Sequence, residues 1–314
     1  MSKSLSLTNA AALQAFVQTV APDLLVRMFY KFKTAEMVRV HEGIKGRKIL
    51  TELTFADNLV KKWRAQFDGN DNAVGFDPRI LEVAFNKAEL SVIPQELESN
   101  YLGEFRKKGQ NQHDWPFEAF ILDNWVKKIA QENENAVWRA ALPASPTATD
   151  ALALTFDGYL EIIKDLISAT TITPVVTGAI SITNAVGNVE KMWEVLDPSL
   201  KDQGVDIFCS WQIYSKYLQD YRERYGKYIG KDQSGSVQLD WGNATLHAMA
   251  GMGTSSRIVM TPAANLNIGF DSPGDLSNLN FEDDHRQIDI WMDYKLGVQI
   301  GIARDTILVV NDQV

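Results

Sequence analysis

Histidine and cysteine are the first residues to consider as metal ligands or nucleophiles. The four histidines, His41, His113, His247 and His285, are isolated, and no two of them have the three- or four-residue spacing of a helical zinc site. The single cysteine, Cys209, excludes an intrachain disulfide and ends the run Val-Asp-Ile-Phe-Cys, which favours a buried, unreactive thiol. These residues therefore predict neither a metal site nor a cysteine nucleophile.

Three glycine-containing segments resemble parts of ligand-binding motifs. DGNDNAVG, which starts at Asp68, begins like a calcium loop, but its sixth position is Ala73 and its twelfth is Arg79 instead of glutamate. GIKGRK at Gly43 lacks the spacing of a phosphate loop, and GMGTSSR at Gly251 lacks the third glycine of a dinucleotide fingerprint. We interpret all three segments as turns.

Acidic, hydroxyl and aromatic groups complete the search for chemistry. EDDHR at Glu282 could bind a cation, but an acidic solvated loop before a strand is the preferred interpretation. Ser255 and Ser256 lack the Gly-x-Ser-x-Gly elbow of a nucleophile. The segment from Ser210 to Tyr225 mixes Tyr with Lys and Arg and could stack on bases, yet an amphipathic helix with tyrosine rims is the preferred interpretation at this net charge. We expect no catalytic, cofactor-binding or metal-binding residue, and we expect that the protein is not an enzyme.

Composition limits the class of protein. The 314 residues, 45% hydrophobic and 23% charged, are typical of a globular chain of about two domains. A net charge of -9 argues against a protein whose main role is to neutralise phosphates. No run approaches the roughly 20 apolar residues of a membrane span, and the N-terminal segment lacks a signal-peptide core. We expect a cytoplasmic product that does not enter a membrane.

The segment from Asp114 to Ala141 predicts one long amphipathic helix of about 40 Å. Its apolar residues recur at three- and four-residue steps, and charged residues fill the other arc. The apolar set is Phe117, Phe120, Ile121, Trp125, Val126, Ile129, Ala130, Ala136, Val137 and Ala140. One stripe of this helix should be buried, and Asp123 and Lys127 should form a favourable pair on the other.

The segments before this helix predict extensions with little core of their own. Residues 1–30 predict an arm that lies on another surface. Ile49, Leu53 and Phe55 predict a strand, the polar run that follows predicts a loop tip, and Arg79–Ile93 predicts a long returning strand. Together they predict a protruding hairpin.

The segments after the helix predict a second domain. LPASPTATDA at residues 142–151 has the composition of a linker. Alternating elements follow it: a helix at Phe156–Ala169, a strand at Thr173–Ile182, a helix at Asn188–Leu196, a strand at Val205–Cys209 and a helix at Ser210–Tyr225. From Val237 the chain predicts mainly strands, which we expect to return to the first domain.

This order of parts resembles the HK97-type major capsid protein of tailed bacteriophages. The resemblance covers nearly the whole chain and is strongest in Pro94–Trp138, Gly251–Ser272 and Ile288–Ile302, which look like capsid proteins from phages of Bacteroidetes-type hosts. It implies an α+β HK97-like capsid fold. The implied parts are an N-terminal arm at 1–36, an extended hairpin (E-loop) at 37–93, a peripheral domain with a long spine helix at 94–150, an axial α/β domain at 151–240 and a β-rich return to the peripheral domain at 241–314.

The resemblance also implies a function. The chain would assemble with itself into pentamers and hexamers, and these would form the icosahedral head shell around a double-stranded DNA genome without sequence-specific binding. Neighbouring capsomers would meet through the arm and the E-loop. A scaffolding protein, a portal and decoration proteins would be its partners, and it would be located in the virion after assembly in the host cytoplasm.

Two features of the family bear on particular residues. Met1 at the start of the arm leads us to expect a separate scaffolding protein. Lys45, Lys48, Lys61 and Lys62 lie in or near the E-loop, but nothing in their spacing makes them reactive, so we predict no crosslink between subunits. An encapsulin-like bacterial nanocompartment and a soluble α/β enzyme remain as alternative interpretations, the second supported only by the Gly251 turn and the EDDHR loop.

Overall fold

The computed structural model describes residues 32–55, 62–65, 74–93, 117–143, 154–226, 236–240, 242–271, 279–284 and 287–313. The predicted arm at 1–30, the predicted loop at Asp68, most of the predicted linker, and His113 and His285 lie outside these residues.

The described helices are α1 (Lys33–Met37), α2 (Phe117–Arg139), α3 (Tyr159–Ser168), α4 (Ala185–Val195), α5 (Pro198–Gln203) and α6 (Trp211–Tyr225). The described strands are β1 (Arg39–His41), β2 (Arg47–Phe55), β3 (Val74–Glu82), β4 (Ala84–Val92), β5 (Val205–Cys209), β6 (Ser236–Gln238), β7 (Ala244–Ala248), β8 (Ile258–Thr261), β9 (Leu266–Phe270), β10 (Leu279–Asp284), β11 (Gln287–Ile300) and β12 (Val309–Val310).

The strands form a hairpin and two sheets. β2 and β3 pair with each other in antiparallel register, so a hairpin is present as predicted, but its second strand begins at Val74 and not at Arg79. The first sheet has the order β1-β9-β11-β10, and β4 pairs with β11 as well. The second sheet has the order β12-β8-β5-β7-β6. Each sheet therefore combines strands that are distant in the sequence.

The long helix α2 confirms the predicted amphipathic segment. Trp125, Val126 and Ile129 of the predicted stripe are buried against the first sheet and α3 in one core cluster. On the other arc, Lys127 donates to Asp123 over 2.5 Å, as the four-residue spacing predicts. Because helix positions three and four apart share a face, this periodicity located the apolar part of the buried side, although the buried Glu134 lies outside the predicted stripe.

A second core cluster lies on the other face of the second sheet. It contains Ile207 of β5, Val189 of α4 and Tyr217 of α6. Phe208, the neighbour of Ile207 in the strand, points to the opposite face and belongs to the cluster of the long helix. Since successive residues of a strand face opposite sides, β5 contributes to both clusters.

Two of the predicted strands differ from the structure. Thr173–Ile182 is not a strand, and only Val175 forms a bridge there, with Asn311. The strand predicted for Arg79–Ile93 is interrupted at Val83, whose amide donates to the Gly46 carbonyl over 2.9 Å.

The strands predicted to return to the first domain are also divided. β9, β10 and β11 lie in the first sheet, whereas β7, β8 and β12 lie in the second sheet with β5.

Candidate assembly surface

The hairpin carries an apolar face that the rest of the described chain leaves exposed. Ile49 of β2 pairs with Ile80 of β3, and Phe76 lies four residues before Ile80 on the same face. These three side chains are 64%, 47% and 65% exposed. Large apolar side chains grouped on one face mark an interaction surface. We call Ile49, Phe76 and Ile80 the hairpin face.

The opposite side of the hairpin fixes its root to the body of the protein. Leu81 is fully buried and packs with Ile44 and Val83 in a small apolar cluster. Gln299 of β11 adds a hydrogen bond from its side-chain amide to the Ile80 carbonyl, 2.9 Å away. The hairpin is thus attached at its root through one face and exposed on the other.

The described residues between the two strands are polar and aromatic. Lys62, Trp63, Arg64 and Ala65 are all exposed, and Trp63 is 85% exposed. Tryptophan and arginine are the residues most enriched at the centres of protein interfaces. This segment therefore extends the candidate surface beyond the hairpin face.

A hydrogen-bonded group joins α1 to the long helix. Both carboxylate oxygens of Glu134 accept from Thr34, one from the amide at 2.9 Å and one from the hydroxyl at 2.7 Å. Trp138 donates its indole N–H to the same hydroxyl over 2.7 Å. Burial raises the pKa of Glu134 although these hydrogen bonds and the nearby Lys33 favour its carboxylate. The group fixes α1 to the last turns of the long helix.

A cleft of about 400 Å³ lies beside this point. Its lining combines the apolar side chains of Phe32, Val126 and Ala130 with the polar residues Asp123, Lys127, Gln131 and Glu134. The part of the long helix that lines this cleft therefore lies next to Phe32.

The glycine turn at Gly251 serves packing. A Cβ at Gly251 would lie 2.3 Å from the Glu134 carbonyl oxygen and 2.5 Å from Trp138, and a Cβ at Gly253 would lie 2.7 Å from Arg139. Arg139 also donates from Nε to the Gly251 carbonyl over 2.7 Å. Both glycines allow this turn to contact the end of the long helix.

The other candidate residues for chemistry are dispersed. Cys209 is buried, and burial raises its pKa to about 12, so its thiol is unreactive at neutral pH. Tyr214, Tyr217 and Tyr221 are buried in the second sheet's core, which leaves them unable to stack on bases. Glu282 lies within strand β10 instead of a loop. Among the described residues, no group of three or more His, Cys, Asp or Glu could hold a metal ion.

The sequence reasoning found the hairpin but missed its exposed apolar face and the buried Glu134. The signal for the face was the two-residue alternation that runs through both hairpin strands once they are set in register. Glu134 gave no comparable signal, because its neighbours in the helix are also polar. In the part of the chain that the structure describes, no helix is long and apolar enough to span a membrane.

Comparison with known proteins gives a result for the fold alone. No protein-family model and no curated protein matches the sequence. Among solved structures, the chain is similar to one in the procapsid of satellite phage P4, a structure that includes the size determination (Sid) protein. The identity is 9%, the TM-score is 0.57, and the match covers 93% of this chain and 98% of that one.

Two further structures match over similar lengths. Mycobacterium phage Bobi gives a TM-score of 0.52 at 9% identity, covering 89% of each chain. The virus-like particle from Pyrococcus furiosus gives 0.50 at 9% identity, covering 92% of this chain and 96% of that one. The protein has the α+β HK97-like capsid fold over about nine-tenths of its length.

Proposed function

We propose that this chain is the major capsid protein of a tailed bacteriophage, which assembles into the pentamers and hexamers of an icosahedral head around double-stranded DNA. The observation that carries the proposal is the exposed hairpin face on a subunit with a capsid fold. Full burial of one such side chain stabilises by about 2 kcal/mol, so contact with a neighbouring subunit would favour association.

The remaining parts of the fold take roles in this proposal. The arm at 1–36 and the hairpin within 37–93 contact neighbouring capsomers. Residues 94–150 and the first sheet form the peripheral domain, and residues 151–240 belong to the axial domain. We add β7, β8 and β12 to the axial domain, because they share a sheet with β5. Scaffolding protein, portal and decoration proteins are the expected partners, and the virion is the expected location.

Three observations support a role without catalysis. Cys209 is buried, the Gly251 turn is filled by packing against Glu134 and Trp138, and Glu282 lies in a strand. The Gly251 turn and Glu282 belong to the two features that favoured a soluble enzyme, and both therefore have structural explanations.

Electron microscopy of the expressed full chain tests the proposal. We expect closed shells built of rings of five and six subunits, formed by the chain alone or with its scaffolding protein. A protein that stays monomeric with scaffold and portal present would contradict the proposal.

A nanocompartment shell is the second candidate, since the virus-like particle from Pyrococcus furiosus has the same fold. The content of particles isolated from the native host separates the two functions. A capsid is expected to protect double-stranded DNA from added nuclease, whereas a nanocompartment is expected to contain a copurifying cargo protein in place of a genome.

A further inference from the structure

His41 lies at the root of the hairpin and is 7% exposed. Its Nε2 is 2.8 Å from Oδ1 of Asn267 in β9, and its Nδ1 is 2.9 Å from Nζ of Lys48 in β2. One imidazole ring therefore connects the first sheet to the first strand of the hairpin.

The hydrogen-bond pattern around His41 determines the protonation of both ring nitrogens. The side-chain N–H₂ of Asn267 donates to the Asn265 carbonyl over 2.9 Å, which turns its oxygen towards His41. His41 Nε2 must therefore donate to that oxygen. Lys48 can only donate, so Nδ1 must accept and carry no proton. The contact requires a neutral ring.

Protonation of Nδ1 makes the same contact unfavourable. Two N–H donors would then face each other, and two positive charges would lie at hydrogen-bond distance in a partly buried place. Lys48 of β2 and Arg39 of β1 are the charged groups whose fields act on the ring, whereas β9 contributes the neutral Asn267. Burial is the main cause that holds the pKa of His41 below its ordinary value of 6.5; the hydrogen bond to Asn267 opposes it, and the two cations lower the pKa further.

We propose that the His41–Lys48 contact is an acid-sensitive attachment of the hairpin to the first sheet, closed when His41 is neutral and opened when Nδ1 is protonated. Lys48 pairs with Leu81 across the hairpin, and Leu81 belongs to the three-residue apolar cluster that holds the root. Displacement of Lys48 therefore acts directly on the strand pair that holds Leu81 in this cluster.

His247 provides a contrast within the same protein. Its Nε2 lies 2.9 Å from a carboxylate oxygen of Asp206, and its Nδ1 lies 2.9 Å from the hydroxyl of Ser236. A carboxylate accepts from either form of the ring, and a hydroxyl can reverse its role. A charged His247 therefore fits its site, and a charged His41 does not.

Hydrogen exchange on the unassembled full chain tests this inference separately from the proposed function. Peptides from β2 and β3 are compared with α2 peptides in the same sample, at about pH 7.5 and about pH 5, after correction for intrinsic exchange. We expect wild-type hairpin protection to fall by about tenfold at the lower pH, while the protection of α2 is unchanged.

Two variants assign the effect to the contact. His41→Asn keeps an acceptor for Lys48 without a titrating ring, and Lys48→Met removes the opposing cation. Each should abolish the pH-dependent loss of protection. Nitrogen chemical shifts of the ring should show an unprotonated Nδ1 at neutral pH that gains its proton as hairpin protection falls. An equal loss in wild type and His41→Asn, or a ring that is charged while the hairpin stays protected, would overturn the proposal.

Discussion

The indole nitrogen of Trp138 donates to the hydroxyl of Thr34 over 2.7 Å and so links the end of the long helix to α1. That hydroxyl also donates to Glu134, and Thr34 is fully buried. The Thr34 side chain thereby forms hydrogen bonds with two buried polar groups, Glu134 and Trp138, which lie 100 and 104 residues further along the chain.

Thr34→Val keeps the shape of this side chain and removes the hydroxyl. The buried indole N–H then loses its acceptor, and Glu134 loses one donor, so we expect a loss of about 2 kcal/mol in the free energy of unfolding. Urea denaturation measures the loss. Thr171→Val, at an exposed threonine, is the control and should change stability by less than about 0.5 kcal/mol.

Gly251→Ala places a methyl group against Glu134 and Trp138. Because the nearest backbone oxygen would lie 2.3 Å away, the turn or the helix must move, and we expect a loss of about 3 kcal/mol. Gly46→Ala is the matched control, since a Cβ at Gly46 would have no atom within 4 Å and the backbone there is unstrained. Equal stability of the two variants would show that the turn is not packed as described.

Ile129→Asp introduces an unpaired charge into the buried stripe of the long helix, where Ile129 is 4% exposed. We expect a loss of about 4 kcal/mol and a largely insoluble product. Gln131→Asp puts the same side chain on the exposed arc of the same helix and should remain soluble. Soluble, normally stable protein from the first variant would contradict the assignment of the buried face.

Ile49→Thr combined with Phe76→Thr tests the hairpin face. Both side chains are mostly exposed in the subunit, so its free energy of unfolding should change by less than about 1 kcal/mol. The protein concentration needed for shell formation should rise at least about tenfold, because the lost burial weakens each contact by more than about 1.4 kcal/mol. Light scattering measures this threshold. Val176→Thr, at a side chain exposed by 78% outside the hairpin, should leave it unchanged.

Asp312→Asn should alter the acid dependence of stability. The hydrogen bond from Gln313, and then those from Thr177 and Gly178, lower the pKa of Asp312 from 3.8 to about 2. Because the pKa of this carboxyl is lower in the folded state than in the unfolded state, its ionised form stabilises the folded protein above pH 3.8. This stabilisation is lost as the pH falls towards about 2. Wild type should therefore exceed Asp312→Asn in unfolding free energy at about pH 5, and the difference should shrink at lower pH. If the difference in unfolding free energy between the two proteins does not change with pH, it does not come from the ionisation of Asp312, and the prediction is wrong.

Local patterns predicted those parts of the fold that local contacts determine. The 3.6-residue period identified the long helix, and Ile49, Leu53 and Phe55 identified the first hairpin strand. The returning strand was predicted only in part, because the hairpin strand β3 already begins at Val74 and most of Arg79–Ile93 pairs with β11 instead. Thr173–Ile182 was assigned to a strand because β-branched residues favour one. Tertiary hydrogen bonds instead hold it in an irregular path, among them those from Thr177 to Asp312 and from Lys216 to the Ile180 carbonyl.

The interleaving of the two sheets had no local signal. The parallel pairing of Val205 with Ala244 joins strands separated by a helix, and β12 returns to β8 from the other end of the β-rich region. The two-residue alternation of the hairpin strands marks two faces, but which of them is exposed depends on the side of the hairpin that the cluster around Leu81 occupies. Sequence periodicity predicts that a strand has two faces, and long-range packing determines which face remains exposed.

β3 continues into β4 after a single residue, and all nine residues of β4 pair with β11. A mechanical load on the hairpin is therefore transmitted into the interior of the first sheet and not into a loop. Many hydrogen bonds share that load, so in the proposed shell the hairpin would bear tension between neighbouring subunits without separating from the sheet that carries it.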